Sequence, residues 1–332
     1  MSDQSPMQRI SRRHFLQAAS AATTTFVIPQ WSRAAFPQMS RPVRLGLIAD
    51  LHQDVMHDGP MRLESFLEAM RDAQPDVIVQ LGDFAVPSKS NQKLIDTFNA
   101  AHSRALHVVG NHDTDEGYSP AQLLESWGIK RSYDAHEIAG LRVIILDGND
   151  RPPNHAGGYP SHVGPEQLEW LQGELDSHKG PMIILSHQPL AGPWAIDNAA
   201  EVQQILSTAA DRIVLAINGH SHIDYVTRIG GINYLHHNSA SYVVVGRDYA
   251  HEIYPPEVHA AHPRLASICP YREALFSTLT FDPGNGQITI EGRTSQWVGP
   301  SSAELGRDKH PDLINGEHIA PRIRNRQFTR VS

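Results

Sequence analysis

The chain reads as an α/β protein. Apolar, strand-like runs alternate with amphipathic helical patterns from residue 43 to residue 217, which is the signature of βαβ units around largely buried strands. Its 332 residues are enough to bury a large core, as one large domain or two smaller ones. Hydrophobic residues make up 40% and charged residues 19%, an ordinary globular balance rather than a disordered one.

The elements follow in order. "VRLGLIAD" (43–50) precedes the amphipathic "MRLESFLEAMRDA" (61–73), "PDVIVQLGD" (75–83) precedes "NQKLIDTFNAAH" (91–102), and "ALHVVGNHD" (105–113) precedes "SPAQLLESW" (119–127). In "YDAHEIAGLRVIILDG" (133–148), Ala139 and Gly140 punctuate two extended runs and predict a hairpin. The polar, Pro/Gly-rich "NDRPPNHAGGYPSHVG" (149–164) is too long for a plain connector and is expected to lie beside a site. Helix "PEQLEWLQGEL" (165–175), strand "PMIILSHQP" (181–189), helix "NAAEVQQILSTA" (198–209) and strand "RIVLAINGHSH" (212–222) restore the alternation. Extended runs follow at 224–245 and 276–292, the latter turning at "PGNG". Residues 247–274 and the tail after about 298 show no clear period, and there is no internal repeat.

At the N-terminus, Arg12 and Arg13 precede Phe15 and Leu16, and no acidic or basic side chain follows until Arg33. This resembles a twin-arginine export signal, with "SRAAF" (32–36) as the cleavage region. The run is rich in Ala and Thr and only mildly apolar, so a removable signal is expected rather than a permanent span. The resemblance implies a periplasmic or otherwise extracytoplasmic protein that meets the export machinery transiently and is exported folded, with any cofactor loaded beforehand. The expected organisation is signal and linker over 1–40, one domain over 41–298, and an irregular tail over 299–332.

Charge and cysteine content narrow the chemistry. Lys plus Arg number 28 against 36 Asp plus Glu, a formal charge of −8 with no long basic run, which argues against a reader of nucleic-acid backbones. The single cysteine, Cys269, excludes an intramolecular disulfide and a thiolate-rich zinc site. Any metal must therefore be held by His, Asp and Asn.

Five apolar runs end in such residues: Asp50 and His52; Gly82 and Asp83; Gly110, Asn111, His112 and Asp113; Ser186 and His187; and Gly219, His220, Ser221 and His222. The carboxyl ends of strands in an open α/β sheet meet along one rim, so the clusters are expected to converge on one cleft. If "GHSH" is extended, His220 and His222 point to the same side. Carboxylate, imidazole and amide oxygen suit Mn, Fe, Zn or Mg. A carboxylate such as Asp83 can bridge two ions about 3.5–4 Å apart, which together clamp the attacking and leaving oxygens of a phosphoryl displacement. The glycines at 82, 110 and 219 permit close approach. Ser186 beside His187 is not read as a nucleophile pair, because no G-x-S-x-G elbow is present. Asp113 either orients His112 or caps a helix. His57, His102, His107, His155, His162, His178, His236 and His237 read as bystanders, although His155 and His162 sit in the long loop. Tyr159 and Trp194 flank the rim, either to stack on a base or to pack.

The order D-x-H, G-D, G-N-H-D, H, G-H-x-H resembles the calcineurin-like metallophosphoesterases across about residues 43–245. The resemblance implies a four-layer α/β/β/α sandwich of two mixed sheets flanked by helices. It implies two metal ions, one on Asp50, His52, Asp83 and His222, the other on Asp83, Asn111, His187 and His220, with His112 protonating the leaving oxygen. The implied reaction is in-line attack of a metal-activated hydroxide on a phosphodiester, pyrophosphate or phosphomonoester, without a covalent phosphoenzyme. The implied partner is a small, nucleotide-like phosphate ester rather than a nucleic-acid polymer. Where the family's protein phosphatases continue G-D-x-V-D-R-G, this chain has "GDFAVPS" (82–88), so that branch's phosphate-gripping arginine is missing and phosphoprotein substrates are disfavoured. "HQPL", "NAAEVQQIL" and "GHSHIDYV" are similar to the branch holding cyclic-nucleotide phosphodiesterases and nucleotide-alcohol pyrophosphatases. The alternatives are a non-catalytic metal- or phosphate-binding module of the same fold, distinguished by a lack of hydrolysis, and a metal-dependent amidohydrolase, which leaves G-D and G-N-H-D unexplained.

Overall fold

A computed structural model describes residues 24–28, 39–152, 155–307 and 310–330. The Arg12–Arg13 pair and residues 32–36 lie outside the described residues. The chain forms the expected layered sandwich. One sheet runs, in spatial order, Thr24–Ile28, Arg326–Arg330, Gln287–Glu291, Ser277–Asp282, Val43–Ile48, Val77–Gln80 and Ala105–His107. The other runs Asp134–Ile138, Leu141–Leu146, Met182–Ser186, Ile213–Asn218, Ile232–His236 and Tyr225–Ile229. Both mix parallel and antiparallel pairs, because the βαβ crossovers give parallel neighbours while the hairpins at 134–146, 225–236 and 277–291 give antiparallel ones.

Burial explains the layers. Leu45, Leu47, Val77 and Val79 of the first sheet pack against Val143, Ile145, Ile183 and Leu185 of the second, forming an apolar seam between the two. The opposite face of the first sheet, through Ile48 and Ile78, meets Leu63, Phe66, Phe98 and Trp127 from helices Gly59–Ala73, Gln92–Ala101 and Pro120–Trp127. Ile144 and Ile184 of the second sheet meet Leu168, Leu171, Val202 and Leu206 from helices Pro165–Ser177 and Ala199–Ser207. Strands covered on both faces read as continuous apolar runs, which is why the sequence pattern exposed them. Ser119 starts Pro120–Trp127 with a capping box to Gln122.

The register sets up the site. Ile48 pairs with Gln80 and Gln80 with His107, while Leu146, Ser186 and Asn218 align across the second sheet. The polar clusters that follow these residues therefore emerge at a common rim. The stretch 247–274, which has no sequence period, holds only short pieces, among them Pro256–Ala261 and Ile268–Pro270. The tail expected to be irregular adds a strand: Arg326–Arg330 pairs antiparallel with Gln287–Glu291 and parallel with Thr24–Ile28. The tail is anchored at Asp224, a fully buried carboxylate that meets Arg324 Nε at 2.6 Å and Arg326 Nη1 at 2.5 Å. Two arginines of the tail thus meet the body of the domain through a single partner about 100 residues earlier.

Candidate metal centre

Asp50 and His52 follow Val43–Ile48, Asp83 follows Val77–Gln80, Asn111 and His112 follow Ala105–His107, His187 follows Met182–Ser186, and His220 and His222 follow Ile213–Asn218. Backbone pairing continues past the strand ends: Asp50 N donates to Gly82 O at 3.0 Å and His52 N to Asp83 O at 2.8 Å. These bonds hold the first two loops side by side.

Asp50, His52 and His222 form one group and Asp83, His187 and His220 a second, with one donor atom per residue lying within 4.8 Å of the others in each. Asp83 stands between them, its Oδ2 being 3.5 Å from His52 Nε2 and 3.2 Å from His187 Nε2. His222 Nε2 lies 3.2 Å from Asp50 Oδ1 and 3.2 Å from His52 Nε2, and His220 Nδ1 lies 3.3 Å from His187 Nε2. The far nitrogens are held by carbonyls: His187 Nδ1 donates to Leu81 O at 2.8 Å and His222 Nδ1 to Tyr242 O at 2.7 Å. Each such bond assigns the proton to Nδ1 of the neutral ring and turns the Nε2 lone pair inward.

Asn111 Oδ1 is buried and has no hydrogen-bond partner, and such an oxygen is satisfied by a cation. His112 N donates to Asp83 Oδ1 at 2.8 Å, which holds the Asn111–His112 segment against the central carboxylate. Two carboxylates, four imidazoles and an amide oxygen make a donor set that fits a pair of borderline or hard divalent ions.

The two histidines of "GHSH" do not share one side of an extended strand. The strand ends at Asn218, and His220 and His222 are left-handed, with φ of 65° and 51°, so their rings enter different groups. Ser221 between them meets His236 Nδ1 at 2.9 Å. Among the described residues nine non-glycines have positive φ, and five of them are Asp50, His52, Asp83, His220 and His222. Backbone strain is thus concentrated where the donors converge. Close approach also needs glycine: a Cβ on Gly82, whose φ is 95°, would meet His187 Nδ1 at 2.3 Å, and one on Gly110 would meet Asp83 N at 2.2 Å.

Asp113 neither orients His112 nor caps a helix. Its buried carboxylate accepts the backbone N–H groups of Asp83 (2.9 Å), Phe84 (2.7 Å), Ala85 (3.2 Å) and Gly110 (2.7 Å), tying the second and third loops together. The orienting group for His112 is Asp115, whose Oδ2 accepts from His112 Nδ1 at 2.8 Å. Tyr159 from the long loop donates to Asp115 Oδ1 at 2.7 Å and lies 3.0 Å from His112 Nδ1. The loop expected beside the site therefore reaches it through Tyr159. His155 bonds its own loop at Gly158 O, and His162 bridges to Asn149.

Burial works against the charged form of His187, yet Asp83 and Asp50 outweigh it and lift the imidazole to about 10. Burial likewise works against the Asp83 and Asp50 carboxylates, but the histidines beside them hold both below the usual carboxylate range. Burial pushes His52 down to about 3 and His220 down to about 4. His112 moves the other way: burial opposes its charge, and the hydrogen bond to Asp115 with the charges of Asp83 and Asp115 more than compensates.

Three neighbours escaped sequence reasoning. Asp115 had a readable signal, three residues after His112. Tyr242, whose ring stacks 4.9 Å from His52, comes from a separate short strand. Arg264, in the stretch without period, brings Nη1 to 3.8 Å from Asp115 Oδ2 and shares a depression with His52, Asp83 and His112. Where the protein phosphatases carry V-D-R-G, this chain has Ala85, Val86, Pro87 and Ser88, of which Ala85 and Val86 are buried and Pro87 takes the place of the arginine; Phe84, just before them, packs 5.4 Å from Phe98. Of the bystander histidines, His237 bonds Ser277 Oγ and Asn238 O, and His102 bonds Pro75 O and Arg104 O. Ser186 donates to Gln188 O rather than to a histidine.

Comparison with known proteins places this geometry. The family model for calcineurin-like phosphoesterases matches residues 43–224, more than half of the chain. A curated relative from Danio rerio, "Transmembrane protein with metallophosphoesterase domain", is 27% identical over 181 residues, covering 52% of this chain and 40% of the relative. Another from Rhodococcus erythropolis, "Probable cyclic nucleotide phosphodiesterase", is 26% identical over 191 residues, covering 53% and 61%. The chain thus spans about half the length of these relatives. Among its described residues no helix is long and apolar enough to cross a membrane. The solved structure of a dimetal phosphatase from Danio rerio superposes with a TM-score of 0.53 at 16% identity, over 77% of this chain and 98% of that one. That of GAP50, the anchor in the inner membrane complex of Plasmodium, gives 0.51 at 14% identity, over 76% and 84%. These two likenesses speak to the fold alone.

Proposed function

Because this chain belongs to the calcineurin-like phosphoesterase family, we propose that it hydrolyses a phosphoric ester of a small molecule with the help of two metal ions. The observation that carries the reading is the position of Asp83 Oδ2 between the Asp50–His52–His222 group and the His187–His220 pair. Asp50, His52, Asp83 and His222 would hold one ion, and Asp83, Asn111, His187 and His220 the other. Bound there, the ions supply Lewis acidity toward phosphoryl oxygens and an activated water. The donor set suits Mn, Fe, Zn or Mg.

The chain's own residues do the rest. His112 gives its Nε2 proton to the departing oxygen, and Asp115, bonded to Nδ1, holds the ring in the orientation and protonation state this requires. Asp113 keeps the Asp83 and Gly110 loops at fixed separation. Substrates in scope are phosphodiesters, pyrophosphates and phosphomonoesters of nucleotide-like size. Pro87 at the V-D-R-G arginine position and the burial of Ala85 and Val86 before it weigh against phosphoproteins.

The test is a screen of the purified, Mn-loaded full chain against cyclic nucleotides, nucleotide-diphospho-alcohols and simple monoesters, with elemental analysis. Phosphate-ester turnover that Asp83→Ala abolishes supports the reading; turnover unchanged in that variant refutes it. We further propose twin-arginine export from residues 1–40. A fusion of this segment to a reporter is expected to reach the periplasm, and Arg12→Lys with Arg13→Lys to hold it in the cytoplasm.

A further inference from the structure

A cleft of about 350 Å3 opens beside the candidate ligands, walled by Trp194, His220, His222, Arg307, His310 and Ile319. It is within the range of ligand pockets, about 300–1,000 Å3. Two of its walls are candidate metal ligands, so whatever fills it touches the metal centre. Arg307, His310 and Ile319 belong to the C-terminal tail, outside the family match, so family membership does not account for this wall. His112 lies elsewhere, in the depression shared with His52, Asp83 and Arg264.

Trp194 is the unusual member. Its backbone is left-handed, with φ of 57°, in a turn closed by Ala195 N donating to Gly192 O at 3.3 Å. Its indole is 48% exposed, and it contacts the His310 ring at 4.9 Å between centroids and an interplanar angle of 52°. A large indole left half in solvent at a strained position gains little from packing. It does offer a rigid aromatic surface at the mouth of a cleft, beside an exposed guanidinium.

We propose that this cleft is a recognition subsite for the organic part of the substrate, and that this part carries a planar aromatic ring that stacks on Trp194. The inference rests on the phosphoesterase reading, since the metal centre must hold the phosphate to which the ring is joined. Trp194 and Arg307 line this cleft and not the depression that holds His112, so the ring is assigned to the phosphate that remains after the leaving group departs.

The experiment is calorimetric titration of the Mn-loaded full chain with adenosine 5′-monophosphate and, separately, with inorganic phosphate. The nucleotide is expected to bind at least about 10-fold more tightly than phosphate and to quench tryptophan emission, which phosphate does not do. Trp194→Ala is expected to remove that preference while phosphate affinity stays unchanged, which also reports an intact fold and metal centre. Trp194→Phe is expected to retain most of it. Phosphate binding with no nucleotide preference in the wild type, or a preference that survives Trp194→Ala, overturns the subsite and leaves the metal-centre reading standing. Failure of the wild type to bind phosphate at all overturns both.

Discussion

Oδ2 of Asp83 lies 3.2 Å from Nε2 of His187, with both side chains buried. This contact joins the end of Val77–Gln80 in one sheet to the end of Met182–Ser186 in the other. It makes Asp83 the hinge of the proposed dinuclear site, and the first prediction follows from it. Asp83→Ala is expected to reduce bound metal from two ions per chain to one or none and turnover by at least about 100-fold, beyond what loss of an outer-shell partner causes. Inductively coupled plasma analysis of the dialysed variant checks this; two retained ions refute it.

His112 and Asp115 are expected to act as one unit on the leaving group. His112→Gln should lower kcat by about 100- to 10,000-fold for an alkyl phosphate ester and much less for a p-nitrophenyl ester, whose leaving oxygen needs no proton. Asp115→Asn should lose a smaller share with the same dependence on leaving group. Metal content is expected to be unchanged in both. An equal loss on the two substrates rules out proton donation.

Arg264 is placed to meet an anionic substrate at the rim. Arg264→Ala is expected to raise KM by roughly 10-fold, the scale of one exposed charge-assisted contact, with kcat changed far less. Steady-state kinetics separate the two. A change confined to kcat refutes a binding role.

The tail's anchor is expected to matter for stability. Asp224→Ala leaves Arg326, which is nearly fully buried, without its carboxylate and should cost about 3–5 kcal/mol. Urea unfolding monitored by fluorescence measures it. An equal cost from Arg322→Ala, whose guanidinium only bonds the Gly316 and Glu317 carbonyls, speaks against a special role for Asp224.

Stability is also expected to fall in acid through buried neutral histidines. His107 bonds Asn99 Oδ1 at 2.7 Å and Gln80 Nε2 at 3.2 Å, and burial pushes it from 6.5 down to about 3. Above about 6.5 neither state of the chain protonates it, so it confers no pH dependence there. As pH falls from about 6.5 toward about 3, the unfolded chain takes up a proton that the folded chain refuses, and stability is lost across that window. His107→Gln removes this component. The melting temperature of the wild type relative to the variant should decline steadily through the window; a constant difference refutes the assignment.

Much of this was legible before folding. The runs 43–50, 75–83, 181–189 and 212–217 emerge as buried strands because strands covered on both faces must be apolar throughout, and that condition is written locally. The convergence of their polar endings followed from one rule about parallel sheets. The reading of "GHSH" as extended failed because periodicity carries no information about a left-handed dihedral, and the positive φ of His220 and His222 is imposed by contacts such as His220 N to Asp50 Oδ1, 170 residues away. The four N–H bonds of Asp113 escaped the same way, since they depend on loops that meet only after the sheet forms.

The sequence alone determined the α/β alternation and the order of strands and helices, because these rest on short-range period, and it named the candidate metal ligands from residue chemistry. Tertiary structure decided the left-handed turns that carry His220 and His222, that Asp115 rather than Asp113 steadies His112, and that Arg264, Arg307 and the strand Arg326–Arg330 return to the body of the domain. Those outcomes depend on pairings between residues far apart along the chain, and loop closure over such separations is settled by the packing of whole layers rather than by any local pattern.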